Sequence, residues 1–389
     1  MRILFLSHAQ YITVALPKII EQAEVLSQLG HDVTLVATSK TNKWKIETFV
    51  KNGVHYVISP SILPGKFRHG ADIYDAIRRS FYLTKNMDFD IIHAIDSRPS
   101  VILPALYLKK KKKIPLVLEW SDLYSGGGTI SERSSKLYEN TLGRIESFFE
   151  TAFRKHADGA TAITSFLKNK LIENGFDENK ILIHRMGCLV SENKLFKKEK
   201  AREELKLSTS GITIGHLGKI YPKDHELLIE SFNIIIQKNR DARLLFIGNV
   251  ENNLKASNAG IDYLGFLDRD QFNLHCNAVD FFVLPLKKNI TNMARWPSKV
   301  GDYFSFAKPV VSTAISDLEE IFLSNNLGLL ANDNPNDFAV AMQKLINTQE
   351  NWELIGGNAY MFAKNNLDWF HISKKLIDFY LTIIETKKN

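Results

Sequence analysis

Short apolar strands alternate with helical segments along this chain, and the alternation runs twice. Met1–Leu6 reads as a strand, and Leu16–Leu29 carries apolar residues at helical spacing up to Gly30. Residues 31–37, 91–94, 115–119 and 159–163 read as further strands, the last preceded by an amphipathic helix over Leu137–Lys155. A charged stretch, Lys194–Lys206, and the small polar residues 208–211 interrupt the pattern. It restarts at Ile212–Gly218 and continues through 244–248, 262–264, 281–284 and 309–312. Strands spaced by helices pair in parallel, with the crossovers covering both sheet faces. The expected fold class is therefore α/β: two doubly wound Rossmann-like domains facing across a cleft, where open sheets of this kind bind ligands. The first is expected over residues 1–195, with a terminal helix in 371–389 docking back on it, and the second over 211–370.

A length of 389 residues suits two domains, and 44% hydrophobic with 24% charged residues is a globular composition. Apolar runs such as Phe281–Leu286 are far shorter than the ~18–20 residues needed to span a bilayer. Met1–Leu6 is too short for a signal-peptide core. Cys188 and Cys276 have no metal or redox spacing, and the histidines do not pair as ligands would. A cytoplasmic protein needing neither metal nor cofactor is expected. The net charge of +7 is partly concentrated in the five lysines Lys109–Lys113. Such a run can be a solvated loop, or it can attract an anionic membrane surface or a phosphorylated substrate. No aromatic-interleaved basic motif accompanies it, so nucleic acid is not an expected partner.

Two segments of the second half carry chemistry. In residues 297–311, Pro297 suits the first turn of a helix, whose free amides attract an anion. Lys299 places a cation there, and Asp302 follows three residues later on the same face. The first strand of this half ends in Gly218-Lys219, with Lys223 four residues on; Gly218 permits close backbone approach. Lys219, Lys223, Lys299 and a helix start together suit a nucleotide diphosphate, with Asp302 on its ribose.

In order and spacing these segments resemble the family 4 (group 1) retaining glycosyltransferases of the GT-B fold over nearly the whole chain. Gly218-Lys219 with Lys223 is similar to the family's Gly-Arg…Lys signature, whose cations hold the donor diphosphate. Tyr263-Leu264-Gly265-Phe266-Leu267 resembles the segment that reads the nucleotide base. Pro297-Ser298-Lys299 with Asp302-Tyr303 resembles a Pro-Ser-Lys…Glu-Tyr variant of the Glu-x7-Glu region. Trp369 through Tyr380 resembles the closing Trp…Tyr helix. In the first half, Gly30-His31-Asp32-Val33, Asp90–His93, Pro115–Leu123 and Met186-Gly187 resemble family segments more loosely.

The resemblance implies transfer of a sugar from a nucleotide diphosphate sugar to a sugar or lipid-linked acceptor, with retention, in glycan or glycolipid synthesis. The leaving diphosphate would itself take the acceptor proton, so catalysis rests on neutralising the leaving group and orienting the acceptor. Donor-binding candidates are Gly218, Lys219, Lys223, Phe266, Ser298, Lys299 and Asp302. Lys219, Lys223 and Asp122 are the catalytic candidates, and His8, Glu119 and Asp122, near the loop Ser125–Gly128, the acceptor-side ones. Through Lys109–Lys113, a peripheral contact with an anionic membrane is expected.

Four positions depart from the family pattern. The first glutamate of Glu-x7-Glu is Ala294, and Ser121 replaces the usual histidine before Asp122. Residues Ser7–Gln10 lack the usual glycines, and Ala307 stands where a glycine is usual. Ala294 and Ser121 leave open a second reading, a GT-B-shaped binding or scaffold protein that has lost turnover. An epimerase is disfavoured because no paired acid–base carboxylates are evident. A dinucleotide dehydrogenase is disfavoured because no strand is followed by Gly-x-Gly-x-x-Gly.

Overall fold

The computed structural model describes residues 1–11, 16–63, 70–132, 136–255 and 259–388. The chain forms two compact α/β units: residues 1–187, 294–296 and 369–389, and residues 188–293 and 297–368.

The first unit holds eight strands: β1 (Arg2–Gln10), β2 (Asp32–Thr38), β3 (Glu47–Lys51), β4 (Val54–Ser59), β5 (Ile91–Ile95), β6 (Leu116–Trp120), β7 (Gly159–Ala162) and β8 (Ile181–Ile183). Their order is β3-β4-β2-β1-β5-β6-β7-β8, parallel except for the β3–β4 hairpin. The hairpin is not expected from the sequence, because β3 is mostly exposed and carries little apolar signal. Its turn residues Asn52 and Gly53 both take positive φ, the signature of a tight two-residue hairpin.

Helices α1 (Pro17–Gln28), α2 (Ile73–Asn86) and α3 (Pro99–Lys112) cover this sheet. Asp72 caps α2, accepting from the amides of Tyr74 and Asp75. The lysine run is the last turn of α3 rather than a loop, where cations complement the helix dipole. Lys109 pairs with Asp158 and Lys112 with Asp88, each at 2.7 Å. Lys110, Lys111 and Lys113 remain exposed. The expected long helix over 137–155 is instead broken into Lys136–Asn140, Leu142–Ala152 and a short 3-10 turn.

The terminal helix, Trp369–Lys388, packs Leu376, Tyr380 and Ile383 into the core formed by β1, β2, β4 and α1. Gly159 makes room for it, since a side chain there would start 2.7 Å from Ile383.

Six parallel strands make the second sheet: β9 (Thr213–Leu217), β10 (Arg243–Ile247), β11 (Ile261–Gly265), β12 (Phe281–Leu284), β13 (Val310–Thr313) and β14 (Gly328–Ala331). The order is β11-β10-β9-β12-β13-β14, so it reverses direction between β9 and β12. β9 is buried along its whole length. Gly215 lets it lie flat on Phe282, whose ring would come within 2.8 Å of an added Cβ. Phe282 in turn stacks on Tyr303, with ring centroids 4.6 Å apart. The helix after β9 runs Pro222–Lys238 with Pro222 in its first turn.

Pro297 lies outside the helix it was expected to open. That helix is Lys299–Ser305, only seven residues long, with Ser298 at its N-cap. Ala307 has φ +53, in the left-handed region that a glycine would occupy without strain, at a cost of ~1–2 kcal/mol.

Candidate active site

In the second unit the direction of strand order changes between β9 and β12, and the carboxyl ends of those strands are where an open α/β sheet presents a ligand crevice. Tyr303 ties the two ends together: its hydroxyl accepts from the Leu217 amide and donates to the Val283 carbonyl, both at 3.1 Å. Gly218 follows β9 with φ +68, and no atom lies within 4 Å of where its side chain would begin. Gly248, after β10, packs on it so closely that an added Cβ would sit 2.8 Å from the Gly218 Cα. Two glycines thus leave bare backbone at the mouth of the sheet.

Lys219 and Lys299 lie at this backbone, and Lys223 follows four residues after Lys219. Lys219 is exposed, with its ammonium 3.7 Å from Glu251 and 5.2 Å from the centre of the Tyr221 ring. Lys223 is exposed in the first turn of the following helix. Lys299 is half-buried, and its ammonium donates to the Lys219 carbonyl at 2.7 Å and lies 3.2 Å from His216 Nε2. Burial lowers Lys299 to about 7, with Asp224 acting against the shift. His216, in β9, is driven well below its ordinary value by burial and then by the Lys299 charge. A neutral imidazole beside an ammonium accepts through Nε2, which places the ring proton on Nδ1.

Asp224 is buried and anchors the loop after β12, accepting from the Lys287 amide at 2.8 Å. Asn292 holds the same loop by donating to the Lys287 carbonyl at 2.9 Å. Asp302 shares the short helix with Lys299. The carboxylate whose charge acts on Lys299, however, is Asp224, while Asp302 acts on Cys276 and Tyr303. Helical spacing places Lys299 and Asp302 together in the sequence but does not make them partners. Ser298 is exposed, and Phe266 follows Gly265 at the end of β11 with 77% of its surface exposed. His216, Asp224 and Asn292 escape sequence reasoning because single polar residues among apolar ones carry no periodic signal.

The first unit has its own reversal, between β1 and β5, and there the chemistry is acidic. His8 Nδ1 lies 3.6 Å from Asp96 Oδ2. Asp96 is buried with φ +75, follows β5, and accepts from the Tyr124 hydroxyl and the Ser97 amide. Burial works to raise Asp96, but His8, Arg98 and these hydrogen bonds outweigh it and hold the group below its ordinary value. Arg98 stacks 4.4 Å over the Tyr124 ring and pairs with Glu146. Gly70 closes the corner: an added Cβ would lie 2.6 Å from His8 Cβ and 2.7 Å from Arg98 Cβ.

Asp122 Oδ1 lies 3.5 Å from Arg295 Nε. Burial pushes Asp122 up to about 6 against the pull of Arg295; 43% of its side chain reaches water, which screens part of that rise. The loop Ser125–Gly128 is held from below by the buried Glu150, which accepts from the amides of Tyr124 at 2.9 Å and Ser125 at 2.7 Å.

Glu119 is placed elsewhere. It is buried, 3.2 Å from His93 Nε2, and accepts from the Ser121 hydroxyl. His93 also contacts the Tyr380 hydroxyl, so Glu119 belongs to a network under the terminal helix and is not grouped with His8. Ala294 is buried, its carbonyl accepting from Thr164 Oγ1 at 3.2 Å. Among the described residues no group of three or more His, Cys, Asp or Glu is arranged to hold a metal ion.

Comparison with known proteins bears on both units. The profile for glycosyl transferases group 1 matches residues 211–348, and that for glycosyltransferase family 4 matches residues 19–186. The chain is 23% identical over 326 residues to an uncharacterized glycosyltransferase of Methanocaldococcus jannaschii, covering 80% of this chain and 79% of that protein. It is 27% identical over 246 residues to the capsular polysaccharide biosynthesis glycosyltransferase CapM of Staphylococcus aureus, covering 58% of this chain and 61% of that protein. The crystal structure of Anabaena HepE in complex with UDP is similar with a TM-score of 0.72 at 15% identity, covering 98% of this chain and 100% of that one. That likeness shows the fold.

Proposed function

Since the chain belongs to the group 1, family 4 glycosyltransferases and has the GT-B fold class, we propose that it moves a sugar from a nucleotide diphosphate donor, held by the second unit, to a sugar or lipid-linked acceptor held by the first. The observation that carries this reading is the end of β9, where open glycine backbone meets Lys219, Lys223 and Lys299. The Gly218 amide is engaged by the Ile247 carbonyl, so a diphosphate there would lie close against the glycine backbone and be neutralised by the three ammonium groups. Lys299 would exchange its bond to the Lys219 carbonyl for a phosphate oxygen. Asp302 would hold the ribose, Ser298 would support the phosphate, and Phe266 would lie against the base. HepE binds UDP in its crystal structure, which favours a uridine donor.

On the acceptor side, His8 and Asp122 would orient the nucleophilic hydroxyl. The leaving diphosphate would take the acceptor proton on the face where the new bond forms, giving retention. Lysine charge neutralises the leaving group, so turnover needs no divalent cation. The similarity to CapM favours polysaccharide or glycolipid synthesis as the setting.

Two observations favour the reading without turnover: Ala294 supplies no carboxylate, and Asp122 lies beside Arg295. Incubating the purified protein with UDP-sugars and chelator, then measuring free UDP, separates the two. UDP release supports the enzyme, whereas UDP binding with no release from any donor or acceptor supports the binding protein.

A further inference from the structure

Helix α2 carries apolar residues on both of its faces. Its buried side mixes Asp75, Arg79 and Ser80 with Ala76 and the core residue Leu83. Arg79 alone donates to the Ser7 and Ser100 carbonyls, Ser59 Oγ, Thr38 Oγ1 and Asp75. Its outer side carries Ile73, Ile77 and Phe81, one per turn, exposed by 48%, 50% and 61%. A helix covering a sheet normally keeps its apolar stripe on the inner side and a charged face outside. Turning this helix over would strip Arg79 of its bonds to Ser7, Thr38, Ser59 and Ser100.

The apolar stripe has defined neighbours. Phe81 meets Tyr107 of α3, with ring centroids 5.9 Å apart. Lys110 and Lys111 follow Tyr107 by three and four residues on the same helix face, and Lys85 follows Phe81 by four; all three are exposed. At the other end, Arg78 lies 5.3 Å over the Tyr74 ring and donates to the carbonyl of Trp44, whose side chain is exposed. Aliphatic residues in the middle, aromatic residues beside them and cations at the rim form the composition of a surface that sits at the boundary of lipid headgroups and acyl chains.

We propose that this face of the first unit rests on an anionic lipid surface, with Ile77 and Phe81 below the headgroups and Lys85, Lys110 and Lys111 at their phosphates. The charge of the rim selects lipid over an apolar protein partner, and the chain's net charge of +7 has the same sign. This goes beyond the transfer reaction and does not depend on it. Lys109 and Lys112 take no part, since Asp158 and Asp88 hold them.

The test is co-sedimentation of the purified protein with vesicles of phosphatidylglycerol and phosphatidylcholine, and of phosphatidylcholine alone, at low and high salt. The variants are Ile77→Ser with Phe81→Ser, and Lys85→Ser with Lys110→Ser and Lys111→Ser. These residues are exposed, and circular dichroism and UDP affinity serve as checks that both units remain folded. The wild type is expected to sediment with the anionic vesicles and to be released by salt. Each variant is expected to bind about tenfold less tightly or worse. Equal sedimentation of wild type and the apolar variant overturns the proposal, as does absence of vesicle binding by the wild type. A wild-type dimer that the apolar variant converts to monomer, without vesicle binding, assigns the face to a second copy and also overturns it.

Discussion

The two sheets reverse strand order in the same way and finish their reversal points differently, the second with lysines and the first with carboxylates already matched by cations. In the second unit, β9 ends in open glycine backbone at Gly218, with Lys219 next to it and Lys299 bonded to the Lys219 carbonyl. In the first, β1 and β5 end in a filled corner, where Gly70 packs on His8 and Arg98, Asp96 is buried and Asp122 stands nearby. Topology supplies the place for a ligand in both. The residues at the strand ends decide whether that place is open and which charge it favours. A diphosphate suits the second unit, whereas in the first unit His8, Arg98 and Arg295 already face Asp96 and Asp122.

The largest expected effect tests whether the two units carry separate stability. Arg79 is fully buried, and its loss strands Asp75 and the carbonyls of Ser7 and Ser100. Arg79→Ala should destabilise the first unit by ~3–5 kcal/mol, read as earlier unfolding in denaturant, while UDP still raises the stability of the second. Loss of UDP binding in this variant under native conditions would show that the two sites are not independent.

Next come the lysines. Lys219→Ala and Lys299→Met should each weaken UDP binding by ~1.5–3 kcal/mol, the range for a hydrogen bond to a charged group. Calorimetry is the measurement, and unchanged affinity in both would remove the cationic site from the account.

The comparison also has a pH signature. Lys299 falls from 10.5 to about 7 in the folded protein, so at pH 8 it is largely neutral until a diphosphate restores its proton. UDP binding at pH 8 should therefore take up protons, and affinity should fall as pH rises through 7. Stability has the opposite sign: between about 7 and 10.5 the unfolded chain binds more protons at this lysine, so its contribution to stability improves as pH rises. Calorimetry in buffers of different ionisation enthalpy reads the uptake, which Lys299→Met should abolish. Asp122, raised to about 6, gains its proton as pH falls through that value. The acid limb of the transfer rate should flatten in Asp122→Asn.

How far the sequence carries this account depends on the element. The alternation of strands and helices yields both sheets because each buried parallel strand is a short apolar run. It misses the β3–β4 hairpin, whose outer strand is polar. Gly218, Lys219 and Lys299 can be picked out as candidates because a glycine and lysines directly after a buried apolar strand, and at a helix start, stand out from the apolar pattern around them. Asp224 and His216 are not legible, since their roles depend on Lys287 and Lys299, more than 60 residues away in the chain. Glu119 shows what the sequence leaves out: an acidic residue at a strand end is a candidate for acceptor chemistry, and its contacts with His93 and Ser121 become visible only in the fold. The inward placing of Asp75 and Arg79 on α2 is equally hidden, because a helical period reveals that two faces differ but not which one is buried.

The smallest expected effect concerns Phe266. Its exposed ring should add ~1 kcal/mol to nucleotide binding by stacking. Phe266→Ala should weaken UDP and leave inorganic pyrophosphate unaffected, measured by calorimetry. Equal loss for both would place the ring's effect on the loop rather than the base.

The central claim is that the lysine-rich reversal point of the second unit holds the nucleotide. Hydrogen–deuterium exchange with and without UDP tests it most directly. The account predicts slowed exchange at the amides of residues 217–223 and 298–303, with no change at residues 93–98. Protection confined to residues 93–98, or no protection at 217–223 under saturating UDP, would contradict it.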